Sequence, residues 1–424
     1  MSWLKRSVSY SSVLLFAILA TACAHPNQAD KVIAAPSNSA IQTKPDAAPV
    51  ILISIDGFKP DYLTRGVTPN LNALAKQGAV ADAMRPAFPS ITFPNHYTLV
   101  TGLTPDHHGV VGNTMEDATI PNQRFSLGNR EAVIDRRWWD QAEPVWVTAQ
   151  KNGVPSATMF WPGSEADIHG VRPSEWRVFN GKISAEQRVA TVLEWMDKPL
   201  ATRPRFITLY FDEVDHSGHM NGPDSELTTQ AAAHVDQVIG LLLSGLNQRQ
   251  INANIVIVSD HGMAAIDSSR TIVLDQLAPR NSYRLITAGA YAGIEPQTGQ
   301  EQIINDALLK PHQHMQCWAK ATIPARLHFG QNARVPSIVC MPEVGWVILA
   351  DQANVKTTSG GAHGYDNQSA AMQAIFIASG PSFKEHVQLP AFDNVDVYSL
   401  LMWLINVPAL PSDGNLDSIR PALK

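Results

Sequence analysis

The chain has 424 residues, 45% of them apolar, and carries a formal net charge of −6. That is enough apolar material for a sizeable core, as one large domain with an insertion or as two domains. The acidic balance, with no basic stripe along the sequence, excludes a long electrostatic groove for nucleic-acid duplexes; any nucleotide-like ligand has to be recognised locally.

Residues 1–23 read as an export signal. Lys5 and Arg6 precede an apolar stretch at 13–19, and small residues follow up to Cys23. The apolar run is too short for an ordinary membrane-spanning helix. Cys23 also stands where a bacterial lipoprotein carries its lipid, although Ala20 replaces the leucine usual three positions earlier. Removal of the signal by cleavage is the expected fate and the periplasm or outer envelope of a bacterium the expected location; lipid attachment at Cys23 is the alternative, and the one tie to a membrane that the sequence offers. Residues 24–48, rich in Ala, Pro, Ser, Asn and Lys, read as a flexible linker, and 49–424 as the catalytic domain. Cys317 and Cys340 remain as an even pair, which in an exported protein points to a disulfide in preference to two buried thiols.

In chain order, 49–55 is an apolar strand and 69–78 a helical pattern ended by glycine. A helix follows over 93–103, with Thr92 at its entrance and Pro94 in its first turn. Further strands fall at 156–160, 206–211 and 255–259, and helical patterns at 185–196 and 228–243. A late strand at 374–377 and a closing helix at 395–404 complete the alternation. Strands alternating with helices predict an α/β fold with a mostly parallel central sheet covered on both faces. Between 267 and 359 the alternation breaks down, which predicts an inserted α+β subdomain.

Several of these strands end in an acid. Asp56 follows VILIS-I, Asp260 and His261 follow IVIVS, Asp215 and His219 follow FITLYF, and His363 lies in GGAHG. Strand ends in an open α/β sheet converge on one crevice, however distant in sequence. Six ligands of mixed carboxylate and imidazole type, with no thiolate, suit two zinc ions best, with other divalent transition metals as alternatives. Thr92, at a helix start where free N–H groups favour an anion, is the candidate nucleophile; Ser90 is its rival. Asn113 is the candidate amide donor to a phosphoryl oxygen. Asp212 and Glu213 read as solvated acids or as acceptors holding a ligand histidine, and His216 as a polar partner.

Taken together, Asp56-Gly57, Thr92-Phe93-Pro94-Asn95-His96-Tyr97, Thr101-Gly102, His108-Gly109 with Asn113, Asp215 with Gly218-His219, the run from Ser259 to Met263, and His363-Gly364 form an ordered set. The set resembles the nucleotide pyrophosphatase/phosphodiesterase family of the alkaline phosphatase superfamily, over roughly 50–407. The resemblance implies an alkaline-phosphatase-like fold. It also implies one zinc held by Asp56, Thr92, Asp260 and His261, and a second held by Asp215, His219 and His363. Thr92 would form a covalent intermediate, with Asn113 and the Thr92 N–H holding the phosphoryl oxygen. The implied substrates are nucleotides or dinucleotides, cleaved to nucleoside 5'-monophosphates. The resemblance further implies a nucleobase slot between Phe93 and Phe179, bordered by Trp161. Many members carry tyrosine where this chain has Phe179; phenylalanine still stacks.

Other readings compete. A sulfatase needs a C/S-x-P-x-R segment, and none occurs. A phosphodiesterase acting on choline headgroups would share the metal site and differ in the pocket. A non-catalytic envelope metal-binding protein would lack the nucleophile or several ligands, whereas all are present.

Overall fold

The computed structural model describes residues 48–424. The expected signal and the linker up to residue 47 lie outside the described residues. The strands used below are, in chain order, β1 (Val50–Ile55), β2 (Gly78–Ala81), β3 (Ser156–Met159), β4 (Glu175–Trp176), β5 (Phe206–Phe211), β6 (Asn254–Val258), β7 (Ala264–Asp267), β8 (Tyr283–Thr287), β9 (Ala292–Pro296), β10 (Met315–Ala319), β11 (Ile338–Pro342), β12 (Ser359–Ala362), β13 (Phe376–Ser379) and β14 (Val387–Leu389). The helices are α1 (Pro69–Lys76), α2 (Thr92–Thr101), α3 (Ala185–Met196), α4 (Glu213–Asn221), α5 (Glu226–Gln248) and α6 (Asp396–Leu404).

Eight strands form the central sheet in the order β14-β2-β13-β6-β1-β5-β3-β4. Its centre is parallel: β1 pairs with β5 from Val50↔Phe206 to Ile55↔Phe211 and with β6 from Val50↔Asn254 to Ser54↔Val258. Among these strands β13 runs against its neighbours β6 and β2. Every residue of β1 is buried, as both-sided coverage requires. Its side chains alternate between two cores. Val50 and Leu52 join the core under α2 and α6, whereas Ile51, Ile53 and Ile55 join the one under α1, α3 and α5. The in-register pairing of β1, β5 and β6 brings their C-terminal ends level, and this edge of the sheet carries the acids.

Local sequence signals explain the helices. Ser184 and Gln187 close a reciprocal capping box on α3, and Ser225 caps α5. The start of α1 is capped from outside: buried Asp236 on α5 accepts the Asn70 and Leu71 N–H groups at 3.2 and 2.8 Å. α5 extends several residues beyond the expected 228–243, since its inner face stays apolar to Leu246. The short strands β2, β4 and β14 were not expected; two to four residues carry no readable alternation.

The stretch 267–359 contains a four-stranded antiparallel sheet, β8-β9-β11-β10, with its own small core. Cys317 on β10 and Cys340 on β11 are bridged by a disulfide, in register across the pair. The chain returns on β12, which pairs antiparallel with β7 and ends immediately before His363. Buried Arg334 ties this region to the segment carrying Asn113. It donates to the carbonyls of Gly109, Trp138 and Arg137 and pairs with Asp117 at 2.6 Å.

Candidate active site

Asp56 is the first residue beyond β1, and Asp260 and His261 follow β6 after one intervening serine. Ser259 locks the two strand ends together: its hydroxyl accepts from Phe58 N–H at 2.9 Å and donates to the His261 carbonyl at 2.8 Å. Asp215 and His219 lie four apart on α4, hence on one face of a helix and not in an isolated turn. Gly57 is required on two counts. Its φ is +69°, and a Cβ there would sit 3.0 Å from the Asp215 backbone. Gly262 serves close approach: its φ is not left-handed, and a Cβ would lie 2.2 Å from the Ala371 carbonyl oxygen.

All six expected ligands converge. His261 Nε2 is 2.9 Å from Asp260 Oδ2, 3.5 Å from Asp56 Oδ1 and 3.2 Å from Thr92 Oγ1. Asp215 Oδ1 lies 3.5 Å from both His219 Nε2 and His363 Nε2, and those two nitrogens are 3.0 Å apart. The rings of His261 and His363 stack at 3.5 Å, which joins the two halves of the cluster.

Hydrogen bonding fixes what these groups can do. Each ligand histidine places Nδ1 on a backbone carbonyl: His219 on Gly361, His261 on Gly262 and His363 on Ser90, at 2.8, 2.9 and 3.1 Å. A carbonyl only accepts, so Nδ1 carries the proton and each Nε2 turns a lone pair inward. Asp56 Oδ1, Asp215 Oδ1 and Asp260 Oδ2 are buried with no hydrogen-bond donor. Three orphaned carboxylate oxygens facing three inward imidazole lone pairs fit bound cations, because such oxygens are costly to bury otherwise. Burial, then the charges of Asp260 and Asp215, push the Asp56 carboxyl well above the usual carboxylate range. Burial likewise raises Asp215. Burial also pushes up on Asp260, but His261 and His96 outweigh it and hold this carboxyl well below the usual range. Burial, reinforced by His261 and His219, drives the His363 imidazole down.

Distance alone would group Asp215, His261 and His363 as one set and Asp56, His96 and Asp260 as another. His96 is not a ligand by this chemistry. Its Nδ1 donates to the Thr92 carbonyl at 2.9 Å and lies 3.3 Å from Asp260 Oδ2, while Nε2 meets Ser54 Oγ at 2.8 Å. Its hydrogen bonds tie the start of α2 to β1 through Ser54. Tyr210 holds Asp56, donating its hydroxyl to Oδ2 at 2.6 Å. Sequence reasoning gave neither a role: His96 stood in the run from Thr92 to Tyr97 without one, and Tyr210 was a polar aromatic near the end of an otherwise apolar strand. Asp212 and Glu213 do not hold ligand histidines and are not simply solvated: Asp212 pairs with buried Arg188 at 2.8 Å and Glu213 with His234 at 2.7 Å.

Thr92 is the first residue of α2, and Ile91 occupies the cap position. Its hydroxyl is therefore not a cap, and it points into the cluster toward His261. The Ser90 hydroxyl is committed to the Tyr365 carbonyl at 3.1 Å. Asn113 accepts the Phe93 N–H through Oδ1 at 2.9 Å, which leaves its NH2 as the end able to donate.

A cavity of about 260 Å³ adjoins the cluster and is lined by Asp56, Thr92, Asp215, Phe93, Trp161, Phe179 and Tyr210, among others. Trp161 is buried and donates Nε1–H to the His96 carbonyl at 2.9 Å. Phe93 packs on Phe125 and Trp139, whereas Phe179 is 46% exposed. A larger cavity near Arg124, Arg284 and Arg334 touches none of the ligands.

The sequence profile described as "Type I phosphodiesterase / nucleotide pyrophosphatase" matches residues 50–366, a span holding every candidate ligand from Asp56 to His363. The chain belongs to this family. Within the type I phosphodiesterase / nucleotide pyrophosphatase family, bovine ectonucleotide pyrophosphatase/phosphodiesterase family member 3 is 38% identical over 391 residues, covering 89% of this chain and 44% of the relative. A pyrophosphatase/phosphodiesterase of Schizosaccharomyces pombe is 38% identical over 387 residues, covering 88% of this chain and 80% of the relative. The chain thus spans under half of the bovine protein and most of the yeast one. Murine ectonucleotide pyrophosphatase/phosphodiesterase 5, solved as an inactive threonine-to-alanine variant in complex with AMP, superposes with a TM-score of 0.85. It is 36% identical, and the match covers 89% of this chain and 100% of that one. The family's alkaline-phosphatase-like α/β architecture is the fold described above.

Proposed function

We propose that the chain hydrolyses phosphodiester or pyrophosphate bonds of nucleotides or dinucleotides and releases nucleoside 5'-monophosphates. The observation that carries this reading is one cluster of three orphaned carboxylate oxygens and three Nε2 atoms, which the Thr92 hydroxyl meets at His261, beside an aromatic cavity. The murine neighbour that binds AMP and is inactivated by a threonine-to-alanine change supports it.

In this reading Asp56, Asp260 and His261, with Thr92, hold one divalent ion, and Asp215, His219 and His363 hold the other. Mixed oxygen and imidazole donors make zinc the best fit, ahead of other divalent transition metals. When bound, such ions lower the hydroxyl pKa and offset charge developing on the phosphoryl group. Thr92 Oγ1 attacks phosphorus as the leaving-group oxygen departs, giving a nucleotidyl-threonine. Water then cleaves that ester, releasing the 5'-monophosphate and restoring the hydroxyl. The Asn113 NH2, held by the bond from Phe93 to Oδ1, donates to a non-bridging oxygen, and the free N–H of Thr92 adds to it. Tyr210 keeps the Asp56 carboxylate aimed, and His96 holds the carbonyl of Thr92. Phe93 and Phe179 bracket the base, with Trp161 at the border.

We also propose residues 1–23 as an export signal to the bacterial envelope, Cys23 as its candidate lipidation site, 24–48 as a linker, and 267–359 as an insertion in the catalytic domain. Among the described residues no helix is long and apolar enough to cross a membrane.

The test combines metal analysis of the purified protein with turnover of a nucleotide p-nitrophenyl ester and of a p-nitrophenyl phosphocholine ester. Two bound transition metals, chelator-sensitive turnover and preference for the nucleotide support the reading. Turnover that survives metal removal overturns it, and preference for phosphocholine transfers the site to lipid headgroups.

A further inference from the structure

Phe160 stands out at the base slot for its backbone. It follows β3 directly and has a φ of +66°, the left-handed region that a bulky side chain rarely enters. The chain there has to leave the sheet edge and still deliver Phe160 and Trp161 to the border of one cavity. The two rings nevertheless anchor in different cores: Trp161 in the core under α2, Phe160 in the core under α3 and α5. The slot therefore lies across the end of the sheet, one wall rooted on each face.

Phe160 is buried, and its ring is held from several sides. The Arg188 guanidinium lies 5.1 Å from its centroid. Arg188 is itself buried and donates to the Tyr210 and Ile183 carbonyls and to Asp212. The Phe160 carbonyl accepts from the Thr208 hydroxyl at 3.0 Å. What Phe160 supports is exposed: its ring meets Phe179 edge-on at 5.1 Å, closer than the 6.2 Å from Phe179 to Tyr210. Phe179 has one further tie, its N–H to Glu165 at 3.1 Å.

We propose that Phe160 is a positioning residue whose strained left-handed backbone holds its ring as the backstop of Phe179, so that the exposed wall of the base slot is set before substrate arrives. This rests on the reading of the site as a nucleotide phosphodiesterase. Backbone strain persists where the surrounding structure over-determines it, and fixing an exposed wall in advance lowers the ordering cost of binding.

The test compares Phe160→Gly, Phe160→Ala and Phe179→Ala, alone and combined, in the metal-loaded protein. Glycine removes the ring and accepts the left-handed backbone, whereas alanine removes the ring and keeps the strain, so F160G should melt higher than F160A. Both should weaken AMP binding by calorimetry, and raise KM for a nucleotide p-nitrophenyl ester, about tenfold with kcat held. Turnover of p-nitrophenyl methyl phosphate, which has no base, should stay within about twofold of the parent. F160G added to F179A should weaken AMP binding no further, because the backstop then has nothing to hold. The proposal is overturned if AMP affinity is unchanged, if both esters lose equally, if the two losses simply add, or if F160A melts as high as F160G. A parent protein that turns over neither ester fails the functional reading instead, and the AMP measurements still decide the role of Phe160.

Discussion

At the ligand end of the cavity the three histidines and Asp56 are held by hydrogen bonds: Nδ1 groups on carbonyls, and the Tyr210 hydroxyl on Asp56. At the mouth, Phe179 projects from a loop, 46% exposed, with the Phe160 ring at 5.1 Å, the Tyr210 ring at 6.2 Å and one backbone hydrogen bond. Phe93 belongs to the ligand end, since it follows Thr92 in the first turn of α2 and packs on Phe125 and Trp139. Reacting atoms need fixed geometry, whereas a stacking surface tolerates a range of flat partners. One cavity thus combines a rigid reaction centre with a wall whose position depends on few contacts.

The largest break in this comparison comes from the nucleophile. Thr92→Ala should lower turnover by a factor on the order of 10⁴ to 10⁶ while both metals stay bound, because the other ligands are independently anchored. Single-turnover kinetics with metal analysis checks both halves. Turnover near the parent value removes Thr92 from its role, and loss of both metals would make it chiefly a structural ligand.

Next is the charge cluster. Asp56→Asn should lose metal, yet the metal-free variant should be more stable than metal-free parent by on the order of 1 kcal/mol. The Asp56 carboxyl is raised by burial and by the Asp260 and Asp215 charges, so its ionised form opposes folding when no cation is present. Melting after chelation reads this out; a lower melting point for the variant contradicts it.

These two tests concern what the sequence showed well. A strand buried on both faces is an unbroken apolar run, so the acids ending β1 and β6 stood out, as did the ligand spacing on α4. Tyr210 and His96 did not, because their value lies in which partners they meet, across 154 residues for Tyr210 and Asp56. Nor did Phe160: a left-handed phenylalanine has no residue-type signature, unlike a glycine in the same conformation. The Arg188–Asp212 and His234–Glu213 pairs depended on tertiary neighbours as well.

A third test asks how firmly the Asn113 segment is anchored. His108 is buried, and its Nδ1 accepts the Val110 N–H at 3.1 Å while Nε2 meets Thr98 Oγ1 at 3.0 Å. Burial lowers its imidazole from 6.5 to about 3. A depressed folded pKa gives stability that is complete above the unfolded value and lost as pH falls toward the folded one. Between pH 7 and 5 the unfolded chain gains a proton that the folded chain refuses, worth about 2 kcal/mol. His108→Gln should flatten that part of the stability–pH curve, measured by denaturant unfolding. An unchanged slope would assign the acid sensitivity elsewhere.

The smallest effect is expected at the mouth, and it is the one that separates the two regions. Phe179→Ala removes a ring that contacts no ligand, so metal content and kcat should hold, while KM for a nucleotide ester rises about tenfold, equivalent to about 1.4 kcal/mol of lost stacking. A small aryl phosphodiester has no base to stack and should respond within about twofold. Phe93→Ala makes the contrast: its backbone N–H holds Asn113 Oδ1 and its ring packs inside, so it should lower kcat as well as raise KM. If both phenylalanines change KM alone, then the Phe93 ring does nothing for the start of α2. The rigid reaction centre would in that case extend only as far as the ligands and Thr92.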